Sequence, residues 1–130
     1  MLVLRFGRSK ETIIKTIIAG SRGFCDAHCL MDTLNTLPWK ISEVVSGRAR
    51  GADRLGEMWA KQQQLPCHLF PADWTTYGKG AGVIRNKQMA EYADAAVIFW
   101  DGSSRGSQHM ISMAQQHNLT LKIILYRSET

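Results

Sequence analysis

Three short segments of the sequence combine glycine, hydroxyl and arginine side chains at close spacing. They are Gly20-Ser21-Arg22-Gly23, Ser46-Gly47-Arg48-Ala49-Arg50-Gly51-Ala52-Asp53 and Asp101-Gly102-Ser103-Ser104-Arg105-Gly106-Ser107. Glycine permits positive φ and a close approach of the backbone to a ligand, and arginine and serine donate hydrogen bonds to phosphate oxygens. A single glycine turn is common, but three segments of the same chemistry predict a binding site for phosphate.

Ionisable side chains near these segments could contact a sugar or take part in catalysis. Asp53 could accept a hydrogen bond from a ribose hydroxyl, or it could simply be a carboxylate at a helix start, stabilised by the helix dipole. Arg85 and Asn86 belong to the first turns of a later predicted helix, from which Arg85 could reach phosphate or sugar. If the protein is an enzyme, the expected catalytic residues are Arg85, Asp53 and Asp101.

The segment from Pro71 to Asn86 is long for a connection in a small domain, and long loops are often functional. Its two aromatic residues, Trp74 and Tyr77, could stack on a base or pack the loop onto the body of the protein. For Trp74 we favour packing. His109 follows the third glycine segment and could reach the ligand, although we favour a position on the surface of a helix.

Short apolar runs alternate with helical patterns along the chain. The runs are Ile13 to Ile18, Ile41 to Val45, Cys67 to Phe70, Ala95 to Trp100 and Leu121 to Tyr126. Each is nearly continuous in apolar residues, as expected of a parallel strand buried on both faces. Amphipathic stripes between them predict four helices, near residues 27–37, 52–59, 84–93 and 110–117, the first capped by Asp26.

This alternation predicts an α/β fold, a Rossmann-like three-layer domain with a parallel sheet of about five strands and helices on both faces. Ligands of such sheets bind at the carboxyl ends of the strands, where the strand order reverses. The three glycine segments follow the first, second and fourth runs, so we expect them to meet there. The predicted ligand-binding residues are Gly20, Ser21, Arg22, Gly23, Gly47, Arg48, Arg50, Gly51, Ala52, Asp53, Trp74, Arg85, Asn86, Gly102, Ser104, Arg105, Gly106 and Ser107.

Length and charge fit one domain with an anionic partner. The 130 residues are expected to form a single domain over residues 1–130, with a core of about 12–126 and an N-terminal extension of 1–11. The formal net charge of +5 favours a small phosphate ligand or nucleic acid. Nucleic acid is the less favoured partner, because no basic strand face carries interleaved aromatic residues.

Other classes of partner and location are disfavoured by the sequence. The cysteines, Cys25, Cys29 and Cys67, lack a second pair at metal-ligand spacing, so neither a metal site nor a cofactor is expected. No apolar stretch is long enough to span a membrane, and the first ten residues do not have the pattern of a signal peptide. We therefore expect a cytoplasmic protein that does not interact with membranes.

The motifs taken together resemble the YspA-like, cpYpsA-related family of the SLOG superfamily. The resemblance spans about Ile17 to Leu125 and is carried by Gly20-Ser21-Arg22, Gly47-x3-Gly51-Ala52-Asp53, Ala72-Asp73-Trp74, Gly78 with Ala81-Gly82, Arg85-Asn86-x2-Met89 and Ser104-Arg105-Gly106-Ser107. It implies a Rossmann-like fold that senses, sequesters or processes a nucleotide or a nucleotide-derived ligand, such as ADP-ribose or an NAD-like molecule. It also implies a phage or bacterial setting, and by analogy a homodimer.

Distant members of this superfamily, the lonely guy phosphoribohydrolases, cleave the base from a nucleoside monophosphate. They carry an arginine before the fourth strand and a Pro-Gly-Gly-x-Gly-Thr-x-x-Glu motif after it. Arg85 matches the arginine and Gly106-Ser107 match the later Gly-Thr, but Met110 occupies the position of the glutamate. A thioether can neither transfer a proton nor stabilise an oxocarbenium-like centre. Binding is therefore the expected function, with glycosyl-bond hydrolysis or transfer on a nucleotide as an alternative.

Overall fold

Five strands form one fully parallel sheet with the spatial order β3-β2-β1-β4-β5. The computed structural model describes residues 13–127, so the predicted N-terminal extension, residues 1–11, lies outside the described residues. The strands are β1 (Lys15–Gly20), β2 (Glu43–Ser46), β3 (Cys67–Leu69), β4 (Ala95–Trp100) and β5 (Thr120–Leu125). The helices are α1 (Ala27–Asn35), α2 (Ala52–Gln62), the short α3 (Trp74–Tyr77) with a 3₁₀ turn at Gly78–Gly80, α4 (Ala81–Tyr92) and α5 (Arg105–Gln116).

Two hydrophobic cores lie on opposite faces of the sheet, which confirms the predicted three-layer architecture. Side chains of Ile18 and Phe99 pack with those of α1 and α2, including Leu30. Side chains of Ile17 and Ile98 pack on the other face with those of α4 and α5. Successive strand residues point to opposite faces, and β4, which is covered on both faces, is apolar throughout, as its sequence pattern indicated.

Burial on both faces was predicted for all five strands, and this is wrong for the two edge strands. In β5, Leu125 is 67% exposed, and in β3 both His68 and Leu69 are exposed. The reason is positional, because β3 pairs only with β2 and β5 pairs only with β4. A strand at the margin is also less completely covered by the two helix layers. A continuous apolar run therefore marks a strand here without locating it in the sheet.

The chain reverses strand order between β1 and β4, in the middle of the sheet. Gly20 is paired with Phe99 in the register of these strands, and the backbone N–H of Ser21 donates to the carbonyl of Phe99 at 2.9 Å. The loops that leave β1 and β4 run to opposite faces, and this opens a crevice above their carboxyl ends. Within the described residues, no helix is both long and apolar enough to cross a membrane.

Gly51 holds the loop after β2 against the loop after β1. Its φ is +82°, and a Cβ atom at this position would lie 2.4 Å from the carbonyl oxygen of Ser21 and 2.7 Å from that of Arg22. We expect Gly51→Ala to lower the free energy of unfolding by about 2 kcal/mol, as measured by urea denaturation. Gly23→Ala is the matched control, since a Cβ atom on Gly23 would have nothing within 4 Å and its φ is not positive. Equal stability of the two variants would contradict this account of Gly51.

Candidate functional site

An open cavity of about 1190 Å³ lies above the carboxyl ends of the central strands. All three glycine segments contribute to it, together with residues of α3 and α4. The sequence-predicted residues that line it are Gly20, Ser21, Arg22, Gly23, Gly47, Arg48, Arg50, Asp53, Trp74, Arg85, Asn86, Asp101, Ser104, Arg105, Gly106 and Ser107. The structure thus brings together residues that are up to 87 positions apart in the chain, at the switch point of the sheet.

Three of the predicted ligand-binding residues lie outside the cavity lining. Gly51 packs against the loop after β1, as described above. Ala52 is fully buried in the core, and its Cβ lies 2.9 Å from the position that a Cβ on Gly20 would take. Gly102 has φ +87° and nothing within 4 Å of a Cβ position. These residues shape the loops, while their neighbours face the cavity.

The sequence reasoning missed several cavity residues, among them Arg54, Lys79 and Gly82, and it favoured the less apt of its two alternatives for His109, which also lines the cavity. His109 was expected on a helix surface, but its Nδ1 lies 3.1 Å from Nδ2 of the buried Asn86. The helix α5 begins at Arg105, well before the apolar stripe that indicated it, so residues one turn later still face the crevice. The spacing of four residues between Arg105 and His109 was the signal that could have revealed this.

Three serines join the loops after β1 and β4. The Oγ of Ser21 lies 2.8 Å from that of Ser104 and 3.5 Å from that of Ser107. The backbone N–H of Asp101 donates to the Ser21 hydroxyl at 3.2 Å. Because a hydroxyl can both donate and accept, this cluster can reorient to donate to an anion in the crevice.

Asp101 stabilises the turn before α5. Its Oδ1 accepts the backbone N–H groups of Ser103 at 2.9 Å and Ser104 at 2.8 Å. These hydrogen bonds hold the pKa of the Asp101 carboxyl below its usual range. Asp101 therefore remains ionised and shapes the loop, and of the two predicted catalytic carboxyls it is the one less suited to proton transfer near neutral pH.

Asp53 is a buried carboxyl at the first turn of α2, with 4% of its surface exposed. Its Oδ2 accepts from the backbone N–H groups of Gly47 at 3.2 Å and Ala49 at 3.4 Å. Burial raises the pKa of Asp53 to about 6, although the positive charge of Arg85 and these two hydrogen bonds act in the opposite direction. A carboxyl with this pKa exchanges its proton close to physiological pH.

Arg85 reaches from α4 across to the loop after β2. Its Nη1 donates to the carbonyl of Gly47, and its Nε donates to Oδ1 of Asn86 at 3.1 Å. Desolvation lowers the pKa of the guanidinium, and the charge of Asp53 opposes that change. A Cβ on Gly47 would lie 2.6 Å from Nη1 of Arg85 and 3.0 Å from Oδ2 of Asp53. Glycine is thus the residue that lets arginine, backbone and carboxylate approach one another.

Trp74 forms part of the outer wall and is 54% exposed. Asp73 caps its helix by accepting the backbone N–H of Thr76 at 3.1 Å. The edge of the indole, at Cη2, lies 3.7 Å from the Cβ position of Gly82 at the start of α4. The edge of Trp74 therefore lies beside the start of α4, while the exposed part of its ring is open to the cavity. Tyr77 is also exposed but does not line it.

Metal-ligating residues do not cluster in the part of the chain that the structure describes. No group of three or more histidine, cysteine, aspartate or glutamate side chains there is arranged to hold an ion. Cys25 is exposed, and Cys29 and Cys67 are partly exposed free thiols. The polar groups that line the cavity are arginine, lysine, serine, asparagine and histidine side chains and the carboxyls of Asp53 and Asp101.

Comparison with known proteins gives one family match and one relative. The family model described as the YspA, cpYpsA-related SLOG family matches residues 14–77, from β1 to α3. The motif residues of α4 and α5 lie beyond that matched segment. The chain is also 37% identical over 112 residues to the Gene 61 protein of Mycobacterium phage D29, covering 78% of this chain and 89% of that protein. A search of solved structures gave no significant match.

Proposed function

Because this chain belongs to the YspA, cpYpsA-related SLOG family, we propose that its cavity binds a nucleotide or a nucleotide-derived ligand such as ADP-ribose or an NAD-like molecule. One observation carries the proposal: three phosphate-type loops and Arg85 converge on a single cavity at the switch point of the sheet. Dinucleotides and mononucleotides bind open α/β sheets at that place.

Each part of such a ligand has a complementary group in the cavity. The hydroxyls of Ser21 and Ser104 and the free N–H groups at the start of α5 would donate to a phosphate. Of the two carboxylate oxygens of Asp53, only Oδ2 accepts hydrogen bonds from described residues. Its Oδ1 can therefore accept one from a sugar hydroxyl. The exposed ring of Trp74 offers a surface for the base.

A thermal-shift screen with ADP-ribose, NAD and AMP at millimolar concentration tests the proposal. A ligand that binds only the folded state stabilises it by RT ln(1 + L/Kd), where L is the free ligand concentration, so the melting temperature rises with that concentration. We expect at least one of the three to stabilise the protein, and Gly47→Ala to reduce that stabilisation because its methyl group would displace Arg85. The absence of any shift with all three compounds would refute nucleotide binding at this cavity.

A second candidate function is hydrolysis of the glycosyl bond of a nucleotide, which the raised pKa of Asp53 favours. In that reaction water adds to the anomeric carbon, the base leaves with a proton, and Asp53 would transfer the proton. Met110 is buried and lines the same cavity, where it supplies no carboxylate. Chromatography after incubation with AMP or NAD decides the matter: free base must form with the wild type and not with Arg85→Ala.

The contribution of the aromatic wall is open to a separate test. Stacking of a base on an aromatic side chain contributes about 1–3 kcal/mol, so we expect Trp74→Ala to weaken nucleotide binding about tenfold. Tyr77→Ala is the matched control, since Tyr77 is similarly exposed and lies outside the lining. Titration calorimetry gives both affinities, and equal losses for the two variants would exclude a stacking role specific to Trp74.

A further inference from the structure

Basic side chains outnumber acidic ones in the lining of the cavity. Seven arginine and lysine side chains line it, against the two carboxylates Asp53 and Asp101, which gives an excess of five positive charges. Among the described residues, the cavity is therefore a concave site with a strong excess of positive charge.

Two of these cations, Arg48 and Arg85, are already compensated inside the protein. Arg48 forms an ion pair with Glu57 at 2.7 Å. Arg85 lies near the buried Asp53 and donates to the carbonyl of Gly47. Both are half-buried and have a carboxylate near them inside the protein, so neither adds to the uncompensated charge, although Arg85 can still donate hydrogen bonds to a ligand in the crevice.

The other five cations form an outer ring, which we call the rim: Arg22, Arg50, Arg54, Lys79 and Arg105. All five are exposed, and none has a carboxylate within 4 Å in the described part of the chain. Arg54 donates to the carbonyl oxygen of Arg48 at 3.3 Å. Like charges gathered without acidic partners repel one another, so a polyanion bound among them relieves an existing electrostatic cost.

The cavity also exceeds the size that a mononucleotide requires. Its volume of about 1190 Å³ lies above the usual range of small-molecule sites, roughly 300–1,000 Å³. The serine cluster lies deep in the crevice, whereas the rim side chains lie at its exposed edge. A ligand that uses both must extend from the crevice outward and carry negative charge along that path.

Resting on the proposed nucleotide-binding function, we propose that the ligand class is a nucleoside polyphosphate with about four negative charges. One phosphoryl group lies in the crevice at Ser21 and Ser104, and the others lie along the rim. The negative charge of Asp101 in the lining offsets one of the five rim charges and leaves four positive charges. The charge of a nucleoside triphosphate matches these four. ADP-ribose and NAD, with fewer charges, leave part of the rim unbalanced.

A single-stranded nucleic acid fits the same cavity less well. The phosphates of a single strand carry one charge each and follow one another in a line, whereas the rim residues surround a single cavity. Proteins of that kind also present several aromatic side chains for successive bases. In the described residues, Trp74 and Tyr77 are the exposed large aromatic side chains, and only Trp74 faces the cavity.

Titration calorimetry with AMP, ADP, ATP and ADP-ribose, with EDTA at 150 mM salt, tests this assignment. We expect ATP to bind at least tenfold more tightly than AMP and than ADP-ribose. The double variant Arg50→Gln/Arg54→Gln should weaken ATP binding at least tenfold and AMP binding less than threefold. Lys87→Gln, which removes an exposed cation outside the lining, should change neither affinity.

The possible outcomes separate this inference from the proposed function. If AMP binds and ATP binds no more tightly, the polyphosphate class is wrong while nucleotide binding stands. If the rim variant weakens AMP and ATP equally, the rim does not recognise distal phosphates. Tighter binding of a twelve-residue oligothymidylate than of ATP overturns the inference in favour of nucleic acid. If none of the nucleotides binds, both proposals fail.

Discussion

Arg85→Met is expected to weaken the binding of ADP-ribose or ATP at least a hundredfold at pH 7.5. Hydrogen bonds to charged groups contribute about 1.5–3 kcal/mol each, and methionine removes a guanidinium that faces the ligand, Gly47 and Asn86 together. It also leaves the buried Asp53 without its nearest positive charge. Titration calorimetry measures the loss, and circular dichroism checks that the variant folds.

The variant Arg85→Lys distinguishes the contribution of the positive charge of Arg85 from that of its planar guanidinium group. Lysine keeps the positive charge near Asp53 but lacks the planar fork that donates to two partners at once. We expect its affinity to fall between those of the wild type and Arg85→Met. Binding by Arg85→Met within threefold of the wild type would show that Arg85 does not contact the ligand.

Asp53→Asn is expected to stabilise the folded protein at pH 7.5 by up to about 3 kcal/mol while weakening ligand binding. The pKa of Asp53 is about 6 in the folded state, against 3.8 for the unperturbed group. Between those values the folded state holds more protons than the unfolded state, so the free energy of unfolding falls as pH rises. The fall is roughly 1.4 kcal/mol for each pH unit between the two pKa values, and it is complete above about pH 6. Asparagine is neutral and avoids this cost.

Urea denaturation of both proteins at pH 3.5, 5 and 7.5 measures this effect. The difference between Asp53→Asn and the wild type should be largest at pH 7.5 and should vanish at pH 3.5. Asp101→Asn is the matched control of opposite sign, since the pKa of Asp101 lies below its usual range and its charge favours the folded state. A stabilisation by Asp53→Asn that does not depend on pH would contradict this account.

A carboxylate that destabilises the fold at neutral pH is a common sign of a functional group. Burial in the first turn of α2 places Asp53 where the loop after β2 meets the cavity. If its Oδ1 accepts a sugar hydroxyl, Asp53→Asn should weaken ligands that carry a free ribose hydroxyl more than inorganic phosphate. The stability gain and the binding loss then have one structural cause.

The central strands could be predicted from the sequence because burial on both faces favours a continuous run of apolar residues. The run Ala95 to Trp100 was predicted with the bounds that β4 has, since both of its faces are covered. The α4 and α5 starts were predicted too late, because Gly80-Ala81-Gly82 and Gly106 have no apolar stripe and glycine has low helix propensity. Edge position, which exposes Leu125, depends on strand order and not on local composition.

The sequence predicted which loops form the site but not the contacts between their side chains. The switch-point rule brought Ser21 and Ser104 to one crevice, and their hydroxyls do lie 2.8 Å apart. The contact of Arg85 with the Gly47 carbonyl joins residues 38 positions apart across two elements, and no local pattern encodes it. For the same reason Asp53 could be interpreted either as a helix-start carboxylate or as a ligand contact, and the structure places it at both a helix start and the cavity.

The most direct test is titration calorimetry of the wild type and Arg85→Met with ADP-ribose and ATP at pH 7.5. The proposed function predicts one saturable site per chain for the wild type with at least one of these ligands, and its loss in the folded Arg85→Met variant. Absence of saturable heat with both ligands up to millimolar concentration, or undiminished binding by Arg85→Met, would contradict nucleotide binding in the cavity above β1 and β4.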